Sequence, residues 1–342
     1  MKEKWKRAVA AIALLGIGIA VAYFWKNENK SATRKLFAMD TYMEITAYGR
    51  KSEEAVAAAV TEIERLDALL STGSETSEIT MLNRNKEAVV SEDSAYLLKR
   101  SMELWESTGG AFDITIYPVM KAWGFAGETF QVPEENELGN LLTYVDASRI
   151  AFDGEKNKVV LPEQVEIDFG GIAKGYTSAR VAQIMKEYHI KSAKLNLGGN
   201  VQTVGEKTDG SAWRIAIKSP DDTFPYLGVI SVKDKAVITS GGYERYFEEN
   251  GIIYHHIIDP KTGRPAQSGL CSVTIVCEDG TLADGLSTAL YVLGKDKAIA
   301  YWKEHKDEFE AVLMDDIGML YVTEGLADSF SSESAYEIVT GN

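Results

Sequence analysis

Apolar and polar residues alternate over residues 39–48, Met-Asp-Thr-Tyr-Met-Glu-Ile-Thr-Ala-Tyr, and that period of two predicts a half-buried β-strand. Apolar residues then recur at three- and four-residue intervals over 53–70 and again over 94–108, which predicts two long helices with one apolar face each. The pattern dissolves over 112–165, where Pro118, Pro133, Gly124, Gly127, Gly139 and Gly154 punctuate the chain and predict a loop-rich stretch. Short strand-like runs follow at 165–169, 193–197, 201–205, 213–217, 229–232, 236–239 and 252–258, with a helix over 174–188 between the first two. Helices over 281–293 and 296–304 and strands over 311–314 and 319–322 complete the chain. Short strands joined by glycine-containing connections build antiparallel sheet, so the expected fold class is α+β, an extensive and mostly antiparallel sheet with flanking helices.

One apolar run stands outside this pattern. Residues 8–25 form 18 consecutive apolar or small positions, about 27 Å as a helix and enough to cross the hydrocarbon core of a bilayer. Lys2, Lys4, Lys6 and Arg7 precede it, and the positive-inside bias keeps them cytoplasmic and sends the rest of the chain outside. Ala20-Val21-Ala22 also fits a small-x-small cleavage site. The expected organisation is a membrane anchor or signal segment with a polar tether over 1–35, and a folded body over 36–342 on the extracytoplasmic side of the cell membrane.

Charge sharpens the division. The chain carries −15, but residues 1–35 hold eight basic side chains against two acidic ones, so the body carries −21. A body that acidic repels phosphate backbones, which excludes nucleic acid as a partner. Any phosphate-bearing ligand must be held locally, by a metal ion or by backbone N–H groups. The two cysteines, Cys271 and Cys277, lie six residues apart on one expected strand. That is about 20 Å, too far for a disulfide, and they read as small buried side chains.

No Gly-x-Gly-x-x-Gly follows a strand, and the phosphate-loop, Gly-x-Ser-x-Gly and His-Glu-x-x-His motifs are absent. Six glycine-flanked polar clusters stand out instead: residues 108–113 (Thr-Gly-Gly-Ala-Phe-Asp), 168–175 (Asp-Phe-Gly-Gly-Ile-Ala-Lys-Gly), 196–200 (Asn-Leu-Gly-Gly-Asn), 239–246 (Thr-Ser-Gly-Gly-Tyr-Glu-Arg-Tyr), 255–265 (His-His-Ile-Ile-Asp-Pro-Lys-Thr-Gly-Arg-Pro) and 283–289 (Ala-Asp-Gly-Leu-Ser-Thr-Ala). Each alone reads as a turn, because Gly, Asp and Asn are what turns require. In this order and spacing they resemble the FAD:protein FMN transferase family, also called the ApbE family, from about residue 37 to about 322.

The resemblance implies an enzyme that binds FAD with Mg²⁺ at the diphosphate, transfers the FMN half to a Thr or Ser hydroxyl of an acceptor protein, and releases AMP. The metal positions it implies are Gly171, through its carbonyl, with Asp284, Ser287 and Thr288. Asp284 and Thr288 are four apart on an expected helix, so both oxygens lie on one face. Met39, Ala111, Phe112, Asp113 and Asp168 match positions lining the flavin and its ribityl chain, Lys174 falls in the nucleotide site, and Ser240, Glu244 and Ile257 match the adenosine side. His256 matches a position at the nucleotide, as base for the acceptor hydroxyl or as a group that orients FAD. His189 and His305 read as surface helix residues. The implied partners are FAD, the membrane, and an extracytoplasmic acceptor with a Thr or Ser attachment site.

One position departs from the family pattern. Where many members read Ser-Thr-Tyr, this chain reads Ser71-Thr72-Gly73, so the aromatic side chain that would cover the isoalloxazine is missing. Two other readings share the site: Mg²⁺-dependent hydrolysis of FAD to FMN and AMP, and a flavin-binding carrier without turnover.

Overall fold

The computed structural model describes Trp5 and residues 30–127, 129–220 and 225–341. The apolar run at 8–25 lies outside the described residues, and so does the expected anchor or cleavage site. Among the described residues no helix is long and apolar enough to cross a membrane.

Nine strands form the central sheet: β1 (Ser31–Ala38), β2 (Thr41–Tyr48), β3 (Ser192–Leu197), β4 (Asn200–Gly205), β5 (Ala236–Gly241), β6 (Leu270–Cys277), β7 (Glu310–Asp315), β8 (Leu320–Thr323) and β9 (Tyr336–Val339). They lie side by side in the order in which the chain makes them, and neighbours are antiparallel except β8 with β9. The helices are α1 (Ser52–Leu70), α2 (Glu78–Asn85), α3 (Glu92–Ser107), α4 (Tyr117–Ala122), α5 (Glu135–Leu142), α6 (Ala173–Glu187), α7 (Gly280–Leu293) and α8 (Lys295–Glu304). The α+β expectation holds.

Strand periodicity sorts the two faces of the sheet. On β5, Ala236 and Ile238 point to the helical side, where they join Ile275, Leu286 and Leu290 in the core beneath α7. Val237, between them, points the other way, into a core with Val201, Val276 and Val312. That second core is closed by a small sheet of Trp213–Lys218, Tyr226–Val232 and Phe330–Ser331. On the helical side, α1 presents Val56, Ala59, Ile63 and Leu66 at helical spacing, and these pack with Val181 of α6 or with the core under α3.

The structure departs from the sequence expectations at several places, among them helix α2 and a small sheet of Glu87–Val89, Ala151–Asp153 and Lys158–Val160 that the pattern did not predict. Residues 31–35, expected as tether, belong to β1, an edge strand whose charged outer positions (Arg34, Lys35) hid it from a hydrophobic pattern. Residues 165–169 form no strand: Ile167 donates its N–H to Asn83 Oδ1 and accepts Asn83 Nδ2, both at 2.8 Å, so a side chain replaces the ladder. The expected strand over 252–258 is broken into Ile252–His255 and Ile258–Asp259. Strand β9 was not anticipated. The loop-rich stretch contains short helices α4 and α5, and its Val119, Trp123, Phe125 and Leu138 form a separate apolar cluster with Ile258. Neither cysteine is in a disulfide, and burial pushes the Cys277 thiol up to about 12.

Candidate functional site

Two glycines bring α6 and α7 into contact. A Cβ on Gly175 would lie 2.1 Å from the Gly280 carbonyl oxygen and 2.4 Å from Asp284 Cβ, and one on Gly280 would lie 2.7 Å from the Gly175 carbonyl oxygen. Only glycine permits that approach. Its result is that the Gly175 N–H, in the first turn of α6, donates to Asp284 Oδ2 at 2.7 Å. Asn200, the first residue of β4, donates Nδ2 to Asp284 Oδ1 at 2.9 Å. Asp284 therefore caps a helix other than its own, while α7 is capped by Asp279, which accepts the Thr281 N–H. Burial is the larger effect on its charge and raises the Asp284 pKa, against the pull of Lys174 and these two hydrogen bonds.

A run of hydroxyls continues from it. Ser287 Oγ donates to the Asp284 carbonyl at 2.8 Å, which leaves its lone pairs for Ser240 Oγ at 2.7 Å, and Ser240 also lies 3.3 Å from Thr288 Oγ1. Ser240 reaches them because it shares the helical face of β5 with Ala236 and Ile238. Gly171 is adjacent: a Cβ built there lies 3.9 Å from Thr288 Oγ1 and 3.0 Å from Phe112 Cε2. The four residues expected at the metal are thus neighbours through Ser240 and Thr288. Their donors are all hard oxygens with one carboxylate, a set that suits Mg²⁺ completing its shell from substrate phosphates. Among the described residues there is no group of three or more His, Cys, Asp or Glu side chains that could hold a metal.

The two adjacent histidines have different roles. His255 uses both ring nitrogens internally: Nε2 donates to the Ala266 carbonyl at 3.2 Å and Nδ1 accepts the Ile257 N–H at 3.3 Å. Its ring is wedged between Gly242, where a Cβ would lie 2.9 Å from it, and the edge of Tyr291 of α7 at 5.6 Å. His256 makes one ring hydrogen bond, Nδ1 to the Arg245 carbonyl at 3.1 Å. A carbonyl only accepts, so the proton sits on Nδ1 and the Nε2 lone pair is available. Burial, with Lys174, His255 and Arg245 nearby, pushes its pKa down to about 4, so the ring is neutral at pH 7.

Lys174, in the first turn of α6, bears electrostatically on both Asp284 and His256, so its charge lies near both. Arg245 bears on His256 and Asp168 in the same way. Among the described residues neither cation forms an ion pair with a carboxylate. Two cations thus bear on one histidine in an otherwise acidic body. Arg245 and Asn200 were in the quoted clusters but were given no role. The signal for Arg245 was a basic residue one strand-turn from Ser240, and for Asn200 a polar side chain opening a strand just after Gly198 and Gly199.

Asp168 Oδ1 accepts the Gly170 N–H at 2.7 Å and Oδ2 accepts Thr72 Oγ1 at 3.2 Å, and burial raises its pKa. Met39 and Asp40 form the two-residue turn between β1 and β2, both with positive φ (49° and 58°) and neither glycine. Asp67 accepts the Met39 N–H at 3.1 Å, and Thr177 of α6 reaches Met39 Sδ at 3.6 Å. Ala111 and Phe112 are buried, and Asp113 commits Oδ1 to Thr115 (N at 2.8 Å, Oγ1 at 2.6 Å) and Oδ2 to the Ala147 N–H at 3.2 Å, so its carboxylate holds the turn together. Glu244 pairs with Lys218 at 3.3 Å, and Ile257 is buried at the foot of the His255 turn. Gly73 is exposed, and a Cβ there would meet only Ser71 Oγ, at 3.5 Å.

Fold and site together present a buried oxygen cluster with a single carboxylate, Asp284, and a neutral histidine, His256, with Lys174 bearing on both. The ApbE family model matches residues 39–313, and the chain belongs to the ApbE family. The FAD:protein FMN transferase of Haemophilus influenzae is 33% identical over 287 residues, 81% of this chain and 82% of its own length. That of Treponema pallidum is 31% identical over 323 residues, 88% of each. The crystal structure of the ApbE protein from Thermotoga maritima superposes with a TM-score of 0.81 at 33% identity, covering 86% of this chain and 98% of its own. The flavin transferase ApbE from Vibrio cholerae does so with a TM-score of 0.79 at 27% identity, covering 88% and 99%.

Proposed function

We propose that this enzyme transfers FMN from FAD to a Thr or Ser hydroxyl of an acceptor protein, with Mg²⁺, releasing AMP, on the extracytoplasmic side of the membrane to which residues 8–25 anchor or direct it. The observation that supports this reading is the buried oxygen cluster of Asp284, Ser287, Thr288 and Gly171, with Lys174 bearing on both Asp284 and a neutral histidine whose Nδ1 alone is bonded. The membrane side follows from the basic residues that precede the apolar run.

In this reading the acceptor hydroxyl oxygen attacks the phosphorus of the FMN half and gives its proton to His256 Nε2. A phosphoester bond forms, the bond from that phosphorus to the bridging oxygen breaks, and AMP leaves with that oxygen and the electron pair. Asp284, Ser287, Thr288 and the Gly171 carbonyl would hold Mg²⁺, which when bound neutralises charge on the diphosphate and on the departing AMP. Asn200 and the Gly175 N–H fix the Asp284 carboxylate, so that its remaining lone pairs have one orientation. Lys174 and Arg245 offset the negative charge that builds on the transferred phosphoryl group. Arg245 also fixes the tautomer of His256 through its carbonyl.

The test is to incubate residues 31–342 with FAD, Mg²⁺ and an FMN-accepting domain. AMP release matched by flavin fluorescence on the denatured acceptor band is the expected result, and excess EDTA should abolish both. AMP without labelled acceptor would make the enzyme a hydrolase, and neither product would leave a flavin-binding protein.

A further inference from the structure

A macromolecular acceptor has to be held beside His256, and one surface element leads directly to it. Strands Tyr246–Glu249 and Ile252–His255 form a hairpin separate from the central sheet, with Tyr246 paired to His255 at its base. One face is anchored: Phe247 and Tyr254 pack on Trp123 at 6.3 and 5.2 Å. Aromatic contacts continue from the His256 ring to Phe125 at 6.4 Å, from Phe125 to Phe130 at 5.5 Å, and from Phe130 to Phe247, stacked at 5.2 Å. Apolar side chains are exposed on both sides of the hairpin: Tyr246 at 50% and Ile253 at 60% on the outer face, and Ile252 at 55%, at the tip, and Phe130 at 40%, stacked on Phe247, at the margin of the anchored face. Glu248 and Glu249 are exposed beside them. Phe247 and Tyr254 anchor the hairpin, and the two isoleucines at its tip remain bare, an apolar patch of the kind that marks an interaction site.

We infer that this hairpin, with Phe130, is the docking surface for the acceptor protein, and that it takes an apolar segment flanked by Lys or Arg close to the Thr or Ser that receives FMN. The inference rests on the transfer reaction proposed above. Continuity with His256 selects the occupant: Ile253 precedes His256 by three residues, about 10 Å along extended chain. A bound segment with its hydroxyl at Nε2 has neighbours that lie over Ile252 and Ile253. Glu248 and Glu249 supply the charge complement, which steers encounter and fixes register.

The experiment uses the FMN-accepting domain that the wild-type protein labels. The double variant Ile252→Ser/Ile253→Ser should raise KM for that domain about tenfold or more, with kcat at saturating acceptor and the Kd for FAD, read by flavin fluorescence, unchanged. Glu248→Lys/Glu249→Lys should raise the same KM most strongly at low salt. Unchanged FAD affinity establishes that each variant is folded. Ile317→Ser, an exposed apolar position elsewhere, should change nothing. An acceptor KM within twofold of wild type in both double variants overturns the docking surface while transfer stands, and so does a change of oligomeric state without a change of KM. If the wild-type protein labels no acceptor, both readings fall together.

Discussion

Replacing Asp284 by Asn should make the metal-free protein more stable and nearly inactive. The substitution keeps the shape: the Asn carbonyl can accept the Gly175 N–H, and Asn200 can turn its amide to accept the new NH₂, so both contacts of the carboxylate have a neutral counterpart. What disappears is a buried negative charge. Its pKa is raised because burial outweighs the help from Lys174, Gly175 and Asn200, so ionised Asp284 works against folding near neutral pH. Removing such a charge gains about 1 kcal/mol or more, a rise in melting temperature of roughly 1–3 °C for a chain of this size. A raised folded pKa means that the wild-type penalty appears as pH rises through it and vanishes below the unfolded value of 3.8. The stability gap between variant and wild type should therefore close on acidification toward pH 4. Activity moves the other way: without the only anionic oxygen of the cluster, AMP release should fall at least about 10²-fold, close to 2.7 kcal/mol of lost transition-state stabilisation. Melting curves in EDTA without FAD, and chromatography of AMP with FAD and Mg²⁺, measure the two effects. A variant that melts below wild type, or that releases AMP within tenfold of it, would refute the reasoning.

Three further outcomes follow from the same geometry. Because His256 must be neutral to accept a proton and its pKa is lowered to about 4, kcat/KM should hold below the ordinary histidine value of 6.5 and fall only as pH approaches 4; Lys174→Met, which removes one of the charges that lowers it, should move that acid limb upward in a pH–rate profile. Gly175→Ala would put a methyl 2.1 Å from the Gly280 carbonyl oxygen and should cost about 2–3 kcal/mol, seen in denaturant melts, with loss of AMP release as α6 and α7 separate. A protein lacking residues 1–30 should be soluble and fully active, since the site begins at Met39; an inactive but folded truncation would give the N-terminal segment a second role.

Patterning made the five longest helices and most strands of the central sheet legible because each has a buried face, and the period of burial is written into residues such as Val56, Ala59, Ile63 and Leu66, whereas α2, α4 and α5 are too short to show it. It failed where side chains replace that logic. Residues 165–169 carry a strand-like pattern, yet their hydrogen bonds go to Asn83, a residue 84 positions earlier in the chain that no local pattern can reveal. Strand β1 failed for the opposite reason, since an edge strand needs few apolar residues. At the site, the i to i+4 spacing of Asp284 and Thr288 was readable, and their junction with Ser240 follows from strand parity. Asn200 as support for Asp284, and the capping of α6 from α7, were not readable: both depend on how close two helices come, which is set by Gly175 and Gly280. Asp113 illustrates the converse, a residue in a motif whose carboxylate is occupied in holding its own turn.

Strand order has a bearing on how this molecule comes into being. Because each of the nine strands pairs with the one made before it, a chain delivered N-terminus first can add strands to an existing edge as they arrive, without waiting for a distant partner. Long insertions separate some neighbours, notably residues 49–191 between β2 and β3, yet none of them has to be threaded through the sheet. The site arrives later than the scaffold. Met39 and Lys174 are in place early, but the oxygen cluster is incomplete until Ser287 and Thr288 have followed β6 into position, so an emerging chain is already substantially folded before that cluster exists.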